Sequence, residues 1–117
     1  MSKPALPYTP AVRAGDFIFV SGQLGMCDGA LVGGGVAGQT AQAVTNLIDR
    51  LAELGATLAD VVKTTCFLID MDAFQTFNAA YVEGFGNLRP ARSTIAVREL
   101  PLGGHVEIEA VAYSPRG

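Results

Sequence analysis

The apolar residues of segment 39–54 recur every three or four positions, and this spacing constrains the fold more than any other feature of the chain. Ala43, Leu47 and Leu51 therefore fall on one face of a helix. Gly55 follows at the position where helices commonly end. The segment predicts an amphipathic helix within a chain whose other apolar runs are typical of strands.

A second helix is predicted at 70–86, where Phe74, Phe77 and Tyr81 share one face. The remaining apolar runs alternate or are continuous over short lengths, which favours strands. The run at 59–70 is too apolar for a strand with one exposed face, so we expect it inside the sheet. The strand segments are the hairpin at 11–23, a short strand after the turn at 26–35, the run at 59–70, and the runs at 92–97 and 105–113.

The predicted order is β-β-β-α-β-α-β-β, typical of an α+β fold in one domain spanning residues 1–117. Two helices cannot cover both faces of a five- or six-stranded sheet, so we expect them on one face. The other face then requires a partner. Only 16% of the residues are charged and 50% are hydrophobic, which also favours a homo-oligomer.

Composition disfavours several classes of partner. The formal net charge is −3, and the only basic cluster, Arg89, Arg92 and Arg98, is thin, so nucleic acid is not expected as a partner. Cys27 and Cys66 are far apart, and with a single histidine they form no usual metal-ligand set. We also find no apolar stretch of membrane-spanning length and no signal-peptide pattern. These features predict a reduced cytoplasmic protein that binds neither metal nor membrane.

The strand at 92–97 carries an arginine at its start. Arg92 and Thr94 share one face of this strand, and Ile95 and Val97 share the other. The apolar pair predicts that the strand enters the core. A half-buried arginine presents a planar fork that binds a small carboxylate through two hydrogen bonds.

The strand at 105–113 carries two carboxylates. Glu107 and Glu109 share a face and alternate with apolar residues. A glutamate near Arg92 could hold or deprotonate a water, which suits hydrolysis of a small molecule that bears a carboxylate. A structural Arg–Glu salt bridge at a sheet edge or subunit interface is the commoner arrangement of such residues. The local pattern leaves both interpretations open.

Other polar residues give weaker signals. His105 follows two glycines and is expected to be solvated, and Ser21 lacks the G-x-S-x-G context of a nucleophilic serine. The glycines at 33–35 lack a dinucleotide-binding context and predict a flexible loop. Tyr8 is equally consistent with a pocket wall and with a hydrophobic anchor, and Cys66 is expected to be a buried small hydrophobe.

Five motifs together resemble the RidA/YjgF family across nearly the whole chain. The resemblance implies a chorismate mutase-like α+β fold with a mixed sheet and two helices on one face. It also implies a homotrimer with inward-facing sheets and a ligand cleft at each subunit interface. The motifs are PY at 7–8, VSGQ at 20–23, VVKTTCF at 61–67, FNAAY at 77–81 and PARSTIAV…LP…VEIEAVA at 90–112.

The same resemblance implies an activity and a set of site residues. Family members hydrolyse reactive 2-imino and enamine acids, such as 2-iminopropanoate, 2-iminobutanoate and 2-aminoacrylate, to a 2-keto acid and ammonia without a cofactor. Arg92 matches the arginine that binds the substrate carboxylate, and Glu107 matches the glutamate that positions the water. Thr94, Tyr8 and Ser21 match further substrate-binding positions.

The chain also departs from the family pattern. Thr94 replaces a common cysteine, and Gly84–Phe85 replaces a usual pair of adjacent aromatics. Asn78, within the FNAAY motif, is expected to brace the fold. The alternative functions are a metabolite-binding or regulatory trimer without turnover and an endoribonuclease, which the acidic charge disfavours.

Overall fold

The computed structural model describes residues 6–116. These residues form seven strands and two α-helices, joined by loops that include three short 3₁₀ turns. In chain order they are β1 (Ala11–Ala14), β2 (Phe17–Leu24), β3 (Met26–Cys27), β4 (Ala30–Leu31), α1 (Gly35–Glu53), β5 (Val61–Leu68), α2 (Phe74–Phe85), β6 (Ala91–Ala96) and β7 (Val106–Tyr113), with 3₁₀ turns at Leu58–Asp60, Met71–Ala73 and Pro101–Gly103.

Five of the strands form one mixed sheet in the order β1-β2-β7-β5-β6. The neighbours are antiparallel except β5 and β6, which are parallel because α2 crosses between them. The predicted β1–β2 hairpin and the interior position of β5 are confirmed. β3 and β4 form a separate small hairpin around Asp28 and Gly29, whose positive φ angles of 53° and 83° suit a two-residue turn. The sequence predicted only one short strand in the segment that forms this hairpin.

Both helices pack on the same face of the sheet, as predicted, and the core lies between the two layers. Successive residues of β7 alternate between the core and the opposite face of the sheet. Val106 and Ile108 are fully buried, whereas Glu109 and Tyr113 are exposed. The opposite face is open and largely apolar. Its exposed large side chains, 43–49% accessible, are Val12, Phe17, Phe19, Ile95 and Tyr113.

Two boundaries differ from the sequence-based expectation. Helix α1 begins at Gly35, four residues before the predicted start, and Gly34 is its N-cap with φ 94°. The glycines at 33–35 are therefore not a free loop: Gly35 belongs to α1, Gly34 is its N-cap, and the carbonyl of Gly33 lies against Gly38. A Cβ at Gly38 would overlap the carbonyl oxygen of Gly33.

The expectation that the strand at 92–97 enters the core is wrong. This strand, β6, is an edge strand that pairs only with β5, and Ile95 is 47% exposed on the open face. Apolar residues on an edge strand remain accessible unless another chain covers them.

Candidate functional site

The sequence-predicted site residues lie on opposite faces of the sheet. Arg92 of β6 lies opposite Thr64 of the neighbouring strand β5. Thr64 is fully buried beneath the helices, so Arg92 lies on the helix-covered face. Thr94, two residues on, shares that face. Glu107 alternates with the buried Val106 and Ile108 and therefore lies on the open face. One chain thus carries two candidate half-sites, one around Arg92 and one around Glu107, and these two residues do not meet within it.

The guanidinium of Arg92 is held over the aromatic face of α2. Its Cζ lies 5.6 Å from the ring centroid of Phe74, 5.7 Å from that of Phe77 and 4.8 Å from that of Tyr81. Such distances give favourable cation–π attraction. Nη1 also donates a 2.7 Å hydrogen bond to Oδ1 of Asn78. Asn78 therefore braces the arginine, which refines its predicted role in bracing the fold.

Arg92 has no carboxylate partner among residues 6–116. The ion pair found there joins Arg50 and Glu53, with 2.9 Å between Nη2 and Oε2. The structural Arg–Glu salt bridge is therefore not formed inside one chain. Arg92 and Arg89 line a cavity of about 240 Å³ beside α2. A partly buried guanidinium with free N–H donors is suited to binding an anion.

A small polar cluster lies beneath Arg92. The hydroxyls of Thr64 and Tyr81 are 2.8 Å apart in a hydrogen bond, and burial raises the pKa of Tyr81. Burial also raises the pKa of the Cys66 thiol to about 11, so that cysteine is an unreactive core residue, as expected. The Oγ1 atom of Thr94 is buried without a hydrogen-bond partner in the described chain.

The second candidate half-site is a cavity of about 420 Å³, bounded by residues of β2 and β7 and by Asn46 and Arg50 of α1. Glu107, Ser21 and Tyr8 all line it, although they are far apart in the sequence. The hydroxyl of Ser21 is buried and has no partner among the described residues. Burial of the Glu107 carboxyl raises its pKa, and the negative charge of Glu109 raises it further. The group therefore holds a proton more readily than an exposed glutamate does.

A β-bulge places the backbone of β2 against Glu107. Val20 pairs with Ala110 and Gln23 pairs with Ile108, so two residues of β2, Ser21 and Gly22, lie opposite the single residue Glu109. A Cβ at Gly22 would be 2.7 Å from Cδ of Glu107, closer than real contacts allow. Gly22 thus makes room for the carboxylate. This role of Gly22 was not predicted from the sequence, although a glycine inside a strand pattern is a recognised signal of a bulge.

Asn46 holds the opposite wall of this cavity. Its Nδ2 donates to the carbonyl oxygens of Leu24 at 3.0 Å and Met26 at 2.9 Å. Its Oδ1 accepts a 2.9 Å hydrogen bond from Gln42 Nε2. Nothing in the sequence pattern distinguishes Asn46 from other polar residues of α1, because its backbone partners belong to two distant strands, β2 and β3.

His105 lies outside both candidate half-sites. Its side chain is exposed, as predicted, and its backbone N–H donates to Gln39 Oε1 at 2.9 Å. No helix formed by residues 6–116 has the length and apolarity needed to cross a bilayer.

A mixed sheet with two helices packed on one face defines a small α+β protein, in which Arg92 has no carboxylate partner among the described residues. A family model described as Endoribonuclease L-PSP matches residues 1–114. The chain is 45% identical over 108 residues to the 2-iminobutanoate/2-iminopropanoate deaminase of Bos taurus. The aligned region covers 91% of this chain and 79% of that protein. It is 42% identical over 113 residues to a RutC family protein of Pyrococcus abyssi, covering 95% and 89% of the two chains.

The crystal structure of RidA from an Antarctic Psychrobacter superposes with a TM-score of 0.88 at 34% identity, over 95% of this chain and 91% of that one. The chain therefore belongs to the RidA/YjgF family, the family described as Endoribonuclease L-PSP. The family resemblance and the fold class inferred from the sequence are both confirmed.

Proposed function

We propose that this protein is a cofactor-independent 2-imino acid deaminase. It hydrolyses substrates such as 2-iminopropanoate, 2-iminobutanoate and 2-aminoacrylate to the 2-keto acid and ammonia. Relatives that carry the deaminase name are 44–45% identical over 108 residues. We place the reaction in the cytoplasm, in a homotrimer of single-domain subunits that needs neither metal nor nucleic acid.

The observation that carries the proposal is the unpaired guanidinium of Arg92. Three aromatic rings and Asn78 fix its position, and no carboxylate of the described chain neutralises it. A substrate carboxylate would supply the missing negative charge through two parallel hydrogen bonds. Thr94 lies on the same face, two residues further along β6, where its backbone would contact the bound molecule.

Glu107 provides the second requirement, a proton acceptor for water. The water oxygen adds to the imine carbon while its proton passes to the Glu107 carboxylate. The carboxyl returns this proton to nitrogen, which gives a neutral carbinolamine. The Glu107 carboxylate then takes the proton of the new hydroxyl group and passes it to nitrogen, so that the C–N bond breaks and ammonia leaves as the keto group forms. The raised pKa of Glu107 suits a group that must accept and release a proton in turn. Tyr8 and Ser21 complete the wall of this half-site.

The two half-sites require two subunits. Arg92 and Glu107 lie on opposite faces of one sheet, so a single chain cannot present both to one substrate. The open apolar face and the exposed edge strand β6 are surfaces that a neighbouring copy would cover. We propose that Arg92 of one subunit meets Tyr8, Ser21 and Glu107 of the next at each interface of a cyclic trimer.

Turnover by the wild-type protein tests the proposed activity directly. A panel of 2-imino acids, generated in place by an L-amino acid oxidase or by threonine dehydratase, should disappear faster with the protein than in buffer alone. Release of ammonia and keto acid gives the rate. If the protein binds 2-keto acids but accelerates no imine, it is a metabolite-binding trimer and the deaminase proposal is wrong.

The pH dependence should report the protonation of Glu107. The rate should be full above the pKa of Glu107 and should fall as pH drops through it, since the protonated acid cannot accept a proton from water. Glu109→Gln removes the negative charge that raises this pKa, so the acid limb should move to lower pH. The kcat profile of both proteins measures the shift. An unchanged acid limb would show that another group titrates.

The same pKa has an opposite effect on stability. A raised pKa in the folded state means that protonation of Glu107 favours folding, and this contribution is lost as pH rises through the folded value. Glu107→Gln should therefore be at least as stable as the wild type at neutral pH. Thermal unfolding at both ends of the pH range checks that a loss of activity in this variant does not come from misfolding.

A further inference from the structure

Leu102 adopts a backbone conformation that leucine rarely occupies. It lies in the 3₁₀ turn Pro101–Gly103 with φ 60° and ψ 19°, in the left-handed region that favours glycine. Its side chain is 71% exposed, more than that of any other large apolar residue described. Gly103 and Gly104 follow directly, so the turn could readily have a glycine at 102. Strain and an exposed apolar side chain together point to a role outside folding.

The turn that carries Leu102 is held in place on both sides. Gly104 donates a 3.1 Å backbone hydrogen bond to Pro101, and a Cβ at Gly104 would be 2.9 Å from Cδ2 of Leu24. The next residue, His105, is tied through its backbone N–H to the side chain of Gln39 in α1. The backbone position of Leu102 is therefore defined by the fold.

That position is the cavity of Glu107. Leu102 and Pro101 line the same 420 Å³ space as Glu107 and Ser21. Leu6, 54% exposed, also lines it, so two accessible leucines contribute an apolar surface next to the proposed proton acceptor. A substrate whose imine carbon lies beside Glu107 would have its side chain within this space.

The charges of the cavity disfavour an acidic side chain. Asp28 and Glu107 are both carboxylates that line it. The cation of the same cavity, Arg50, is engaged by Glu53 through two hydrogen bonds of 3.0 and 2.9 Å. An anionic substrate side chain would meet acidic groups and a neutralised arginine.

We propose that Leu102 is a specificity-determining residue that contacts the substrate side chain and favours 2-imino acids with aliphatic side chains over those with acidic ones. The inference rests on the deaminase function proposed above. Apolar contacts of this kind discriminate by about 10- to 200-fold per missing methylene-sized contact. The strain at Leu102 is retained because a glycine would leave the side chain of the substrate without this contact.

The test compares the imino acids of leucine and aspartate as substrates. Leu102→Gly removes the side chain and relieves the positive φ, and Leu102→Asn keeps a side chain of similar size that tolerates this backbone but is polar. In both variants the ratio of kcat/KM for the leucine-derived over the aspartate-derived substrate should fall about tenfold or more. Turnover of 2-iminopropanoate, whose methyl group reaches less far toward Leu102, should fall by a smaller factor than turnover of the leucine-derived substrate.

Stability and assembly separate this role from a structural one. The melting temperature of Leu102→Gly should equal or exceed that of the wild type, since the strain is relieved. An unchanged substrate ratio in both variants overturns the inference, whether or not their melting temperature or subunit association is altered. If the wild type accelerates no imino acid at all, the deaminase function itself fails, and that outcome is distinct from an unchanged ratio in active variants.

Discussion

Arg92→Ala should lower kcat/KM for 2-iminobutanoate by about 100- to 10,000-fold, because two hydrogen bonds to a charged group contribute about 1.5–3 kcal/mol each. The remaining contacts of the cavity do not replace the guanidinium, since Asn78 is an acceptor at this point and the aromatic rings carry no positive charge. The coupled assay with threonine dehydratase measures the loss.

Two further variants sharpen this experiment. Arg92→Lys keeps the positive charge but loses the planar fork, so it should recover part of the activity. Arg98→Ala removes an exposed arginine six residues along the chain and should be as active as the wild type. Size-exclusion chromatography and thermal unfolding establish that the alanine variant remains assembled. Turnover within twofold of wild type in Arg92→Ala would remove the carboxylate-anchor role.

Mixed trimers should regain activity that neither parent variant has. If each site combines Arg92 of one subunit with Glu107 of the next, subunits bearing Arg92→Ala and subunits bearing Glu107→Gln supply complementary halves. Random equal mixing in a cyclic ring pairs the two intact residues at about one quarter of the interfaces. Co-expressed, differently tagged subunits should therefore show about one quarter of wild-type turnover.

The matched control mixes two defects in the same half-site. Subunits with Arg92→Ala and subunits with Arg92→Met should stay inactive in every combination, because no interface contains the guanidinium. Complementation by the first mixture alone supports a site divided between subunits. If neither mixture recovers activity while both assemble, the divided site is wrong.

Most of the fold follows from local periodicity. The apolar spacing of 39–54 predicted α1, and the shared face of Phe74, Phe77 and Tyr81 predicted α2, because helical burial depends on neighbours three and four residues apart. The position of β6 did not follow. Whether a strand is interior or at an edge depends on which distant segments pair with it, and Ile95 has the same local pattern in either place.

The candidate site followed less from local pattern than from the family resemblance. The alternation of residues along β6 correctly placed Arg92 and Ile95 on opposite faces of that strand. It could not show whether Arg92 and Glu107 share a face of the sheet, because β5 lies between β6 and β7. Tyr8, Ser21 and Glu107 line one cavity through tertiary structure alone. Gly22 and Asn46 were missed because their effects depend on a bulge and on backbone carbonyls that only the folded chain brings near.

The bulge at Ser21 and Gly22 links the number of residues in β2 to the shape of the cavity. Omitting one residue there would still allow Val20 to pair with Ala110 and Gln23 with Ile108, so every strand pair on either side would survive. The ladder would even be more regular, since a bulge leaves one residue unpaired. The extra residue is therefore not required for the pairing of β2 with β7. The effect of this one inserted residue is confined to the cavity, where it determines how closely the backbone of β2 approaches the Glu107 carboxylate.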